Sequence, residues 1–158
     1  MTEPALQMSD VRKVYQVGDD EVVALDHATL TLGEDEIIAF AKQYDPQPFH
    51  IDKAAAQESI YGGIIASGFQ TLIVAFDLIL NSGVWTEASM GSPGLDEVRW
   101  KLPVRPGDSL RVRMTVTASA PSASRPDRGR TTIFYEILNQ KDELVSSYYA
   151  TQLLKRQV

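Results

Sequence analysis

Apolar residues recur at helical spacing in one long segment near the middle of the chain. Between Ser67 and Ser82, large apolar side chains return every three or four positions, which predicts a helix. Most of the intervening residues are apolar as well, so we expect this helix to be buried on nearly every side. Ser67 is the predicted N-cap, and the sequence Asn81, Ser82, Gly83 is typical of a helix end.

Alternating apolar and polar residues dominate the second half of the chain, and this alternation predicts strands. We expect a hairpin loop over residues 139–143 and a long loop over residues 118–130, which are rich in Ser, Pro and Arg. A buried helix followed by antiparallel strands predicts an α+β domain in which a curved sheet wraps around the helix. The predicted strands are Leu95 to Leu102, Leu110 to Thr117, Thr131 to Leu138 and Leu144 to Leu154.

The first third of the chain gives weaker signals. Residues 1–20 show little periodicity and are predicted to be an N-terminal lead-in to a single domain over residues 21–158. Residues 30–41 are predicted to be helical, at least in their second half, where apolar residues follow a carboxylate-rich first turn. A short helix is expected over residues 53–58, with Asp52 as its N-cap.

The segment between the first two predicted helices carries a candidate acid/base pair. Pro46 and Pro48 predict a stiff connecting loop, and Asp45 and His50 lie five positions apart on it. Two titratable groups on a rigid segment could exchange protons with a substrate. The spacing also fits an exposed loop in which Asp45 caps a turn and His50 titrates freely. The other histidine, His27, has no titratable neighbour of this kind and is predicted to be structural or exposed.

Gly68 lies in the first turn of the long predicted helix, where backbone N–H groups have no partner within the helix. Without a side chain there, a ligand could approach this amide closely, and the amide could stabilise a developing oxyanion. On spacing alone, the pattern fits better a Gly68 that serves only to let the helix pack tightly against the sheet. Ser67 lacks a Gly-x-Ser-x-Gly context and is not expected to be a nucleophile. Trp85 and Trp100 are predicted to be packing residues.

Composition excludes several classes of function. The chain has no cysteine, which excludes disulfides and thiolate nucleophiles, and its formal charge of −6 argues against a nucleic-acid partner. The longest apolar stretch is shorter than the roughly 20 residues that span a bilayer, and no signal peptide is recognised, so we expect a cytoplasmic protein without membrane association. No phosphate-binding loop, dinucleotide fingerprint or His-Glu-x-x-His motif is present, and we predict neither cofactor nor metal.

Three segments together resemble a known family. Phe40 to His50 is similar to the Asp-x-Asn-Pro-x-His signature of the MaoC-like dehydratases, which include (R)-specific enoyl-CoA hydratases. Gly62 to Gly68 resembles the element that opens the central helix of that family, and Gly94 to Asp108 resembles its third element. The likeness extends from about Glu34 to Leu154, with the elements in the same order.

The resemblance implies a hot-dog fold, in which an antiparallel sheet wraps around one long central helix. It implies a homodimer or higher homo-oligomer with the substrate at the interface, and exposed strand edges also favour pairing. Carried over by position, Asp45 and His50 would be the catalytic pair and the Gly68 N–H the oxyanion donor. The implied reaction is reversible addition of water to an enoyl thioester, with an acyl-CoA as the small-molecule substrate.

Two departures from the family pattern keep other functions open. Gln47 stands where the family commonly has Asn, and Ser67 stands where it often has His. One alternative is a hot-dog acyl-CoA thioesterase, although the segment from Asp45 to His50 matches the hydratase pattern better. Another is a binding module that holds acyl thioesters without catalysis.

Overall fold

The computed structural model describes the backbone of residues 22–24 and the whole of residues 29–84 and 87–156. The predicted lead-in, His27 and Trp85 lie outside these residues. The helices are α1 (Glu34–Tyr44), α2 (Pro48–Ile51), α3 (Lys53–Glu58) and α4 (Gly68–Asn81). The strands are β1 (Val22–Ala24), β2 (Leu30–Thr31), β3 (Leu95–Trp100), β4 (Ser109–Pro121), β5 (Arg128–Leu138) and β6 (Leu144–Lys155).

The strands form one antiparallel sheet, and α4 packs against it. The order across the sheet is β1-β4-β5-β6-β3, and β2 pairs with β4 beside β1. Burial alternates with a period of two in the first half of β4 and the second half of β5, so that every other side chain there points into the core, whereas residues 145–148 of β6 are all buried. This arrangement confirms the predicted α+β class. The core includes Ala75, Leu78, Ile79, Val112, Met114, Ile133, Tyr135 and Val145.

Helix α4 is buried on one side only. Ser67 caps it as predicted, since its Oγ accepts a hydrogen bond from the Phe69 N–H. The prediction of burial on nearly every side is wrong for the single chain, because the sheet covers only the inner face of the helix. No helix in the described ranges, α4 included, is long and apolar enough to cross a membrane. The outward side chains are exposed by 63% at Phe69, 55% at Ile73, 53% at Phe76 and 48% at Leu80.

The helices before α4 follow local capping rules. Leu30 and Thr31 are strand residues rather than helical ones, and α1 begins only at Glu34, where the Glu36 carboxylate accepts the Gly33 N–H at 2.9 Å. The helical prediction for residues 30–41 therefore holds in its second half. Helix α3 has the predicted bounds, and the Asp52 carboxylate accepts two N–H groups of its first turn at 2.8 and 3.0 Å.

The predicted long loop over residues 118–130 is wrong. Strand β4 continues to Pro121 and β5 begins at Arg128, so that only residues 122–127 connect them. Backbone pairing continues past a register shift between Val116 and Ala118. This end of β4 lies beyond the core and its residues are exposed, so the sequence shows no apolar alternation although the ladder of hydrogen bonds persists.

Candidate active site

The segment from Asp45 to Asp52 contains one helical turn, which corrects the prediction of a plain loop. Asp45 ends α1, and Pro48 occupies the first position of α2, where the missing N–H of proline costs no hydrogen bond. The turn is closed by the Asp52 N–H, which donates to the Pro48 carbonyl at 2.9 Å. This turn reverses the chain and brings His50 back towards Asp45.

Asp45 and His50 are in contact. The His50 Nε2 lies 3.3 Å from the Asp45 Oδ2, and the two side chains are 5% and 19% exposed. The alternative of an exposed loop is therefore wrong, because the His50 side chain is buried. Both groups belong to one partly desolvated pair, as an acid/base role requires.

The hydrogen bond on the far side of the imidazole fixes which nitrogen carries the proton. The His50 Nδ1 lies 2.7 Å from the Ile65 carbonyl oxygen. A carbonyl only accepts, so Nδ1 carries a proton in either form of the ring. In the neutral ring Nε2 presents a lone pair to Asp45, and in the imidazolium Nε2 donates to the carboxylate. An ionised carboxylate is also an acceptor. When the ring is neutral, a water molecule with one hydrogen directed to each of these two acceptors can bridge them.

Two neighbouring side chains hold the Asp45 carboxylate in place. The Ser67 Oγ donates to Oδ2 at 2.7 Å, and the Gln47 Nε2 donates to Oδ1 at 2.8 Å. Burial raises the pKa of Asp45, but the hydrogen bonds from Ser67 and Gln47 and the charge of His50 outweigh it and lower the pKa below its ordinary value. Asp45 is thus held as an anion beside the imidazole.

Gly68 is the first residue of α4, so its N–H has no acceptor within the helix. A Cβ at this position would overlap the Trp100 indole, since Cε2 would lie 2.5 Å and Cδ1 3.0 Å from it. This contact supports the interpretation of Gly68 as a residue that permits close packing. Gly68 also lines a cavity with Asp45 and His50. Its role as the donor that stabilises an oxyanion stays a prediction.

One cavity of about 460 Å³ brings all three predicted site residues together. Sequence reasoning missed Tyr61, Leu102 and the lining role of Trp100, which packs against Phe69 but is also 51% exposed. The segment from Gly94 to Asp108, which contains Trp100 and Leu102, was the part of the sequence that could have indicated them. The lining residues are Asp45, Gln47, Phe49, His50, Tyr61, Ile65, Ala66, Gly68, Phe69, Thr71, Trp100, Lys101, Leu102, Pro103 and Val104.

A second cavity of about 290 Å³ lies at the other end of α4 and offers different chemistry. Its titratable groups are Tyr135 and Tyr148, whose rings stack 4.7 Å apart. Burial raises the pKa of Tyr135 to about 12 and also raises the pKa of Tyr148, so both stay protonated at neutral pH. In residues 29–84 and 87–156, His, Asp and Glu side chains form no cluster of three or more that could hold a metal ion.

Comparison with known protein families shows to which family this chain belongs. The model of the MaoC like domain matches residues 16–133, which include the pair and the start of α4. The chain belongs to the MaoC-like dehydratase family. This membership supports a hydratase or dehydratase function. An uncharacterised protein of Bacillus subtilis, YdeM, is 31% identical over 128 residues, which cover 81% of this chain and 89% of that protein.

Solved structures of MaoC-like proteins share the fold. A MaoC-like dehydratase from Rhodospirillum rubrum superposes with a TM-score of 0.78 at 38% identity, covering 91% of this chain and 95% of that one. An (R)-hydratase from Pseudomonas aeruginosa superposes with a TM-score of 0.65 at 22% identity, covering 90% and 84%. These similarities confirm the predicted single hot-dog domain.

Proposed function

We propose that this protein adds water to the double bond of an enoyl thioester, with an acyl-CoA as substrate, and catalyses the reverse dehydration. The observation that carries the proposal is the contact between His50 Nε2 and Asp45 Oδ2 at 3.3 Å, in one cavity with Gly68. A water held by these two acceptors would lie within reach of a thioester whose carbonyl approaches the helix terminus.

The pair can accept a proton from that water. With Nδ1 bonded to the Ile65 carbonyl, the His50 Nε2 takes the proton while the water oxygen bonds to the β-carbon of the substrate. The Asp45 anion stabilises the imidazolium that results. The imidazolium then returns the proton to the α-carbon, so that one water has been added and the protein is restored. In the reverse direction the same groups remove water from a 3-hydroxyacyl thioester.

The N-terminus of α4 would stabilise the intermediate. Attack at the β-carbon moves electron density to the thioester oxygen, which becomes an enolate oxygen. The Gly68 N–H has no helical acceptor and lies where the helix dipole favours negative charge. A donor that binds the enolate more strongly than the neutral carbonyl lowers the barrier.

The cavity lining fits the acyl end of a thioester. Phe49, Tyr61, Phe69 and Leu102 provide apolar walls, and a volume of about 460 Å³ lies within the usual range of small-molecule sites. Lys101 also lines the cavity and offers a positive charge to the phosphates of a CoA that extends outwards. A cytoplasmic location and the absence of nucleic-acid partners remain predictions from the sequence.

The purified chain incubated with crotonyl-CoA tests the proposal. We expect the enoyl absorbance to fall without release of free thiol, because water adds to the double bond while the thioester survives. Release of thiol would instead identify a thioesterase. Binding of crotonyl-CoA with neither change would identify a non-catalytic module, and either result would contradict the proposal.

The pKa of Asp45 should depend on Ser67. Ser67→Ala removes a hydrogen bond that lowers this pKa, so the pKa should rise. A pH titration of the Asp45 carboxyl carbon resonance by NMR measures it directly. Ser67→Thr should restore the wild-type pKa. Ser82→Ala, which removes a hydroxyl at the other end of α4, is the matched control. An unchanged Asp45 pKa in Ser67→Ala would contradict this account of the carboxylate.

We also propose that a second copy of this chain covers the outward face of α4. Phe69 and Trp100 belong to both the cavity lining and the exposed surface, so a partner seated there would complete the cavity wall. Among the described residues, strand β3 pairs only with β6 and so lies at the edge of the sheet, and Leu95 on it is 49% exposed. An exposed apolar helix face next to an open strand edge favours self-association.

Phe76→Glu should convert the proposed dimer to monomers. A charge in the middle of the buried apolar face costs several kcal/mol unless it is paired. Size-exclusion chromatography with light scattering measures the mass. Ile60→Glu is the matched control, because Ile60 is 95% exposed and lies outside α4, and it should leave the mass unchanged. A wild type that is monomeric at all concentrations would contradict the proposal.

A further inference from the structure

Arg105 connects two loops that both contribute residues to the wall of the larger cavity. It directly follows residues 102–104, which line that cavity, and its Nη2 donates to the Tyr61 carbonyl at 2.6 Å. Tyr61 lines the cavity as well, whereas Arg105 is exposed and does not. The guanidinium therefore lies at the rim of the cavity, between its wall and the solvent.

Short hydrogen bonds hold Arg105 at both ends. The Asp108 Oδ2 accepts the Arg105 backbone N–H at 2.7 Å, and the Asp108 N–H donates to the Arg105 carbonyl at 3.0 Å, so the backbone forms a closed turn. At the other end of the side chain, the bond to Tyr61 orients the guanidinium. A side chain that is already oriented loses less conformational entropy when it binds a ligand.

No carboxylate in the described part of the chain neutralises this guanidinium. Arg111, Arg113 and Arg128 each form an ion pair with an acidic side chain, whereas the Arg105 side chain donates to a neutral carbonyl. Asp108 lies on the same turn, but its carboxylate contacts the Arg105 backbone N–H rather than the guanidinium. The positive charge at the rim is thus available to an anionic ligand.

Two glycines leave room for an anion beside the guanidinium. A Cβ built at Gly63 would lie 3.6 Å from the Arg105 Nη1 and would meet no other atom within 4 Å, and one built at Gly62 would meet none. A guanidinium has five N–H donors in one plane, and the bond to Tyr61 uses only one of them. Its planar, paired donors match the oxygen atoms of a phosphate group.

We propose that Arg105 binds a phosphate group of a CoA substrate, at the far end of the pantetheine arm. This inference rests on the proposed function and deepens it, because it assigns the residue that recognises the carrier rather than the acyl group. The thioester lies beside Asp45 and His50, and the arm extends to the rim, where Lys101 adds a second positive charge. No bond forms or breaks at Arg105, so this residue acts on binding and not on the chemical step.

Arg105→Gln tests the inference with two substrates that share one acyl group. Crotonyl-CoA carries phosphates, whereas the crotonyl thioester of N-acetylcysteamine carries none. We expect KM for crotonyl-CoA to rise roughly tenfold, as for loss of one hydrogen bond to a charged group, while kcat changes little. The kinetics of the N-acetylcysteamine thioester should change far less. Arg105→Lys should recover part of the affinity, because it keeps the charge but not the paired donors.

Arg130→Gln is the matched control. Arg130 is an exposed arginine on β5 that lines neither of the two cavities, so its replacement should leave both substrates unaffected. Titration calorimetry with the unreactive ligand butyryl-CoA measures the affinity without turnover. It should show the same roughly tenfold loss in Arg105→Gln and none in Arg130→Gln.

The outcomes separate this inference from the proposed function. An equal loss with both substrates would show that Arg105 only supports the cavity wall through Tyr61 and would overturn the inference. An unchanged affinity of Arg105→Gln for butyryl-CoA would overturn it as well. A wild type that binds butyryl-CoA through Arg105 without hydrating crotonyl-CoA would support the inference and overturn the proposed function. A wild type that binds no CoA thioester would overturn both.

Discussion

Replacement of Asp45 by asparagine is expected to reduce the hydration of crotonyl-CoA on the order of a thousandfold. The amide is neutral and cannot stabilise an imidazolium. It can also donate a hydrogen bond to the His50 Nε2, 3.3 Å from the carboxylate in the native site, and so occupy the lone pair that should receive the proton. The initial rate of loss of enoyl absorbance at saturating substrate measures this effect.

Asp52→Asn, the same substitution at the N-cap of α3, is the matched control for Asp45→Asn. The Asp52 carboxylate accepts hydrogen bonds at the start of α3 and does not line the cavity. Asn also serves well as an N-cap, so Asp52→Asn should keep both the fold and the activity. Near-normal turnover in a folded Asp45→Asn protein would show that this carboxylate has no catalytic role.

His50→Gln should reduce turnover about as much as Asp45→Asn does, because the side-chain amide of Gln has no basic nitrogen. The loss of a general base typically costs a hundredfold to ten-thousandfold, roughly. Unlike Asp45, His50 is almost fully buried and also donates to the Ile65 carbonyl, so part of any effect could come from loss of that structural bond. Thermal unfolding followed by circular dichroism reports on this second effect.

A second substitution at the same position separates the two roles of His50. In His50→Asn, the amide nitrogen falls near the position of Nδ1 and can still donate to the Ile65 carbonyl. We expect His50→Asn to be more stable than His50→Gln and equally inactive. Substantial hydration by His50→Asn would contradict the role of Nε2 as the proton acceptor.

The elements that could be predicted from the sequence are those set by local rules. The bounds of α3 follow from the Asp52 cap, and the start of α4 follows from the Ser67 cap and the regular apolar spacing after it. The hairpin loop over residues 139–143 is as predicted. In each case the decisive hydrogen bonds join residues a few positions apart.

Features that depend on distant parts of the chain were not predictable. Residues 118–121 extend β4 only because the beginning of β5 pairs with them, and nothing in their own pattern indicates a strand. The outward face of α4 is as apolar as its inner face, so the sequence cannot tell which side the sheet covers. The proposal of a second copy rests on this exposed face and on strand β3, which lies at the edge of the described sheet.

The candidate site also combines residues that are close in the sequence with contacts between distant residues. Asp45 and His50 were identifiable because they lie on one short segment between helices. The hydrogen bond from Ser67 joins residues 22 positions apart, and the contact of Trp100 with Gly68 joins a strand to a helix. The first contact lowers the pKa of the Asp45 carboxyl and the second places the indole beside the start of α4, and only the folded chain brings these residues together.

Hydration of crotonyl-CoA in water enriched in oxygen-18 tests the central claim most directly. If the pair activates water for addition to the β-carbon, mass spectrometry of the product should find the label in the 3-hydroxyl group of an intact CoA thioester. Asp45→Asn and His50→Asn should form little of this product. Label in a free carboxylate, accompanied by free CoA, would show that water attacks the thioester carbonyl and would contradict the account.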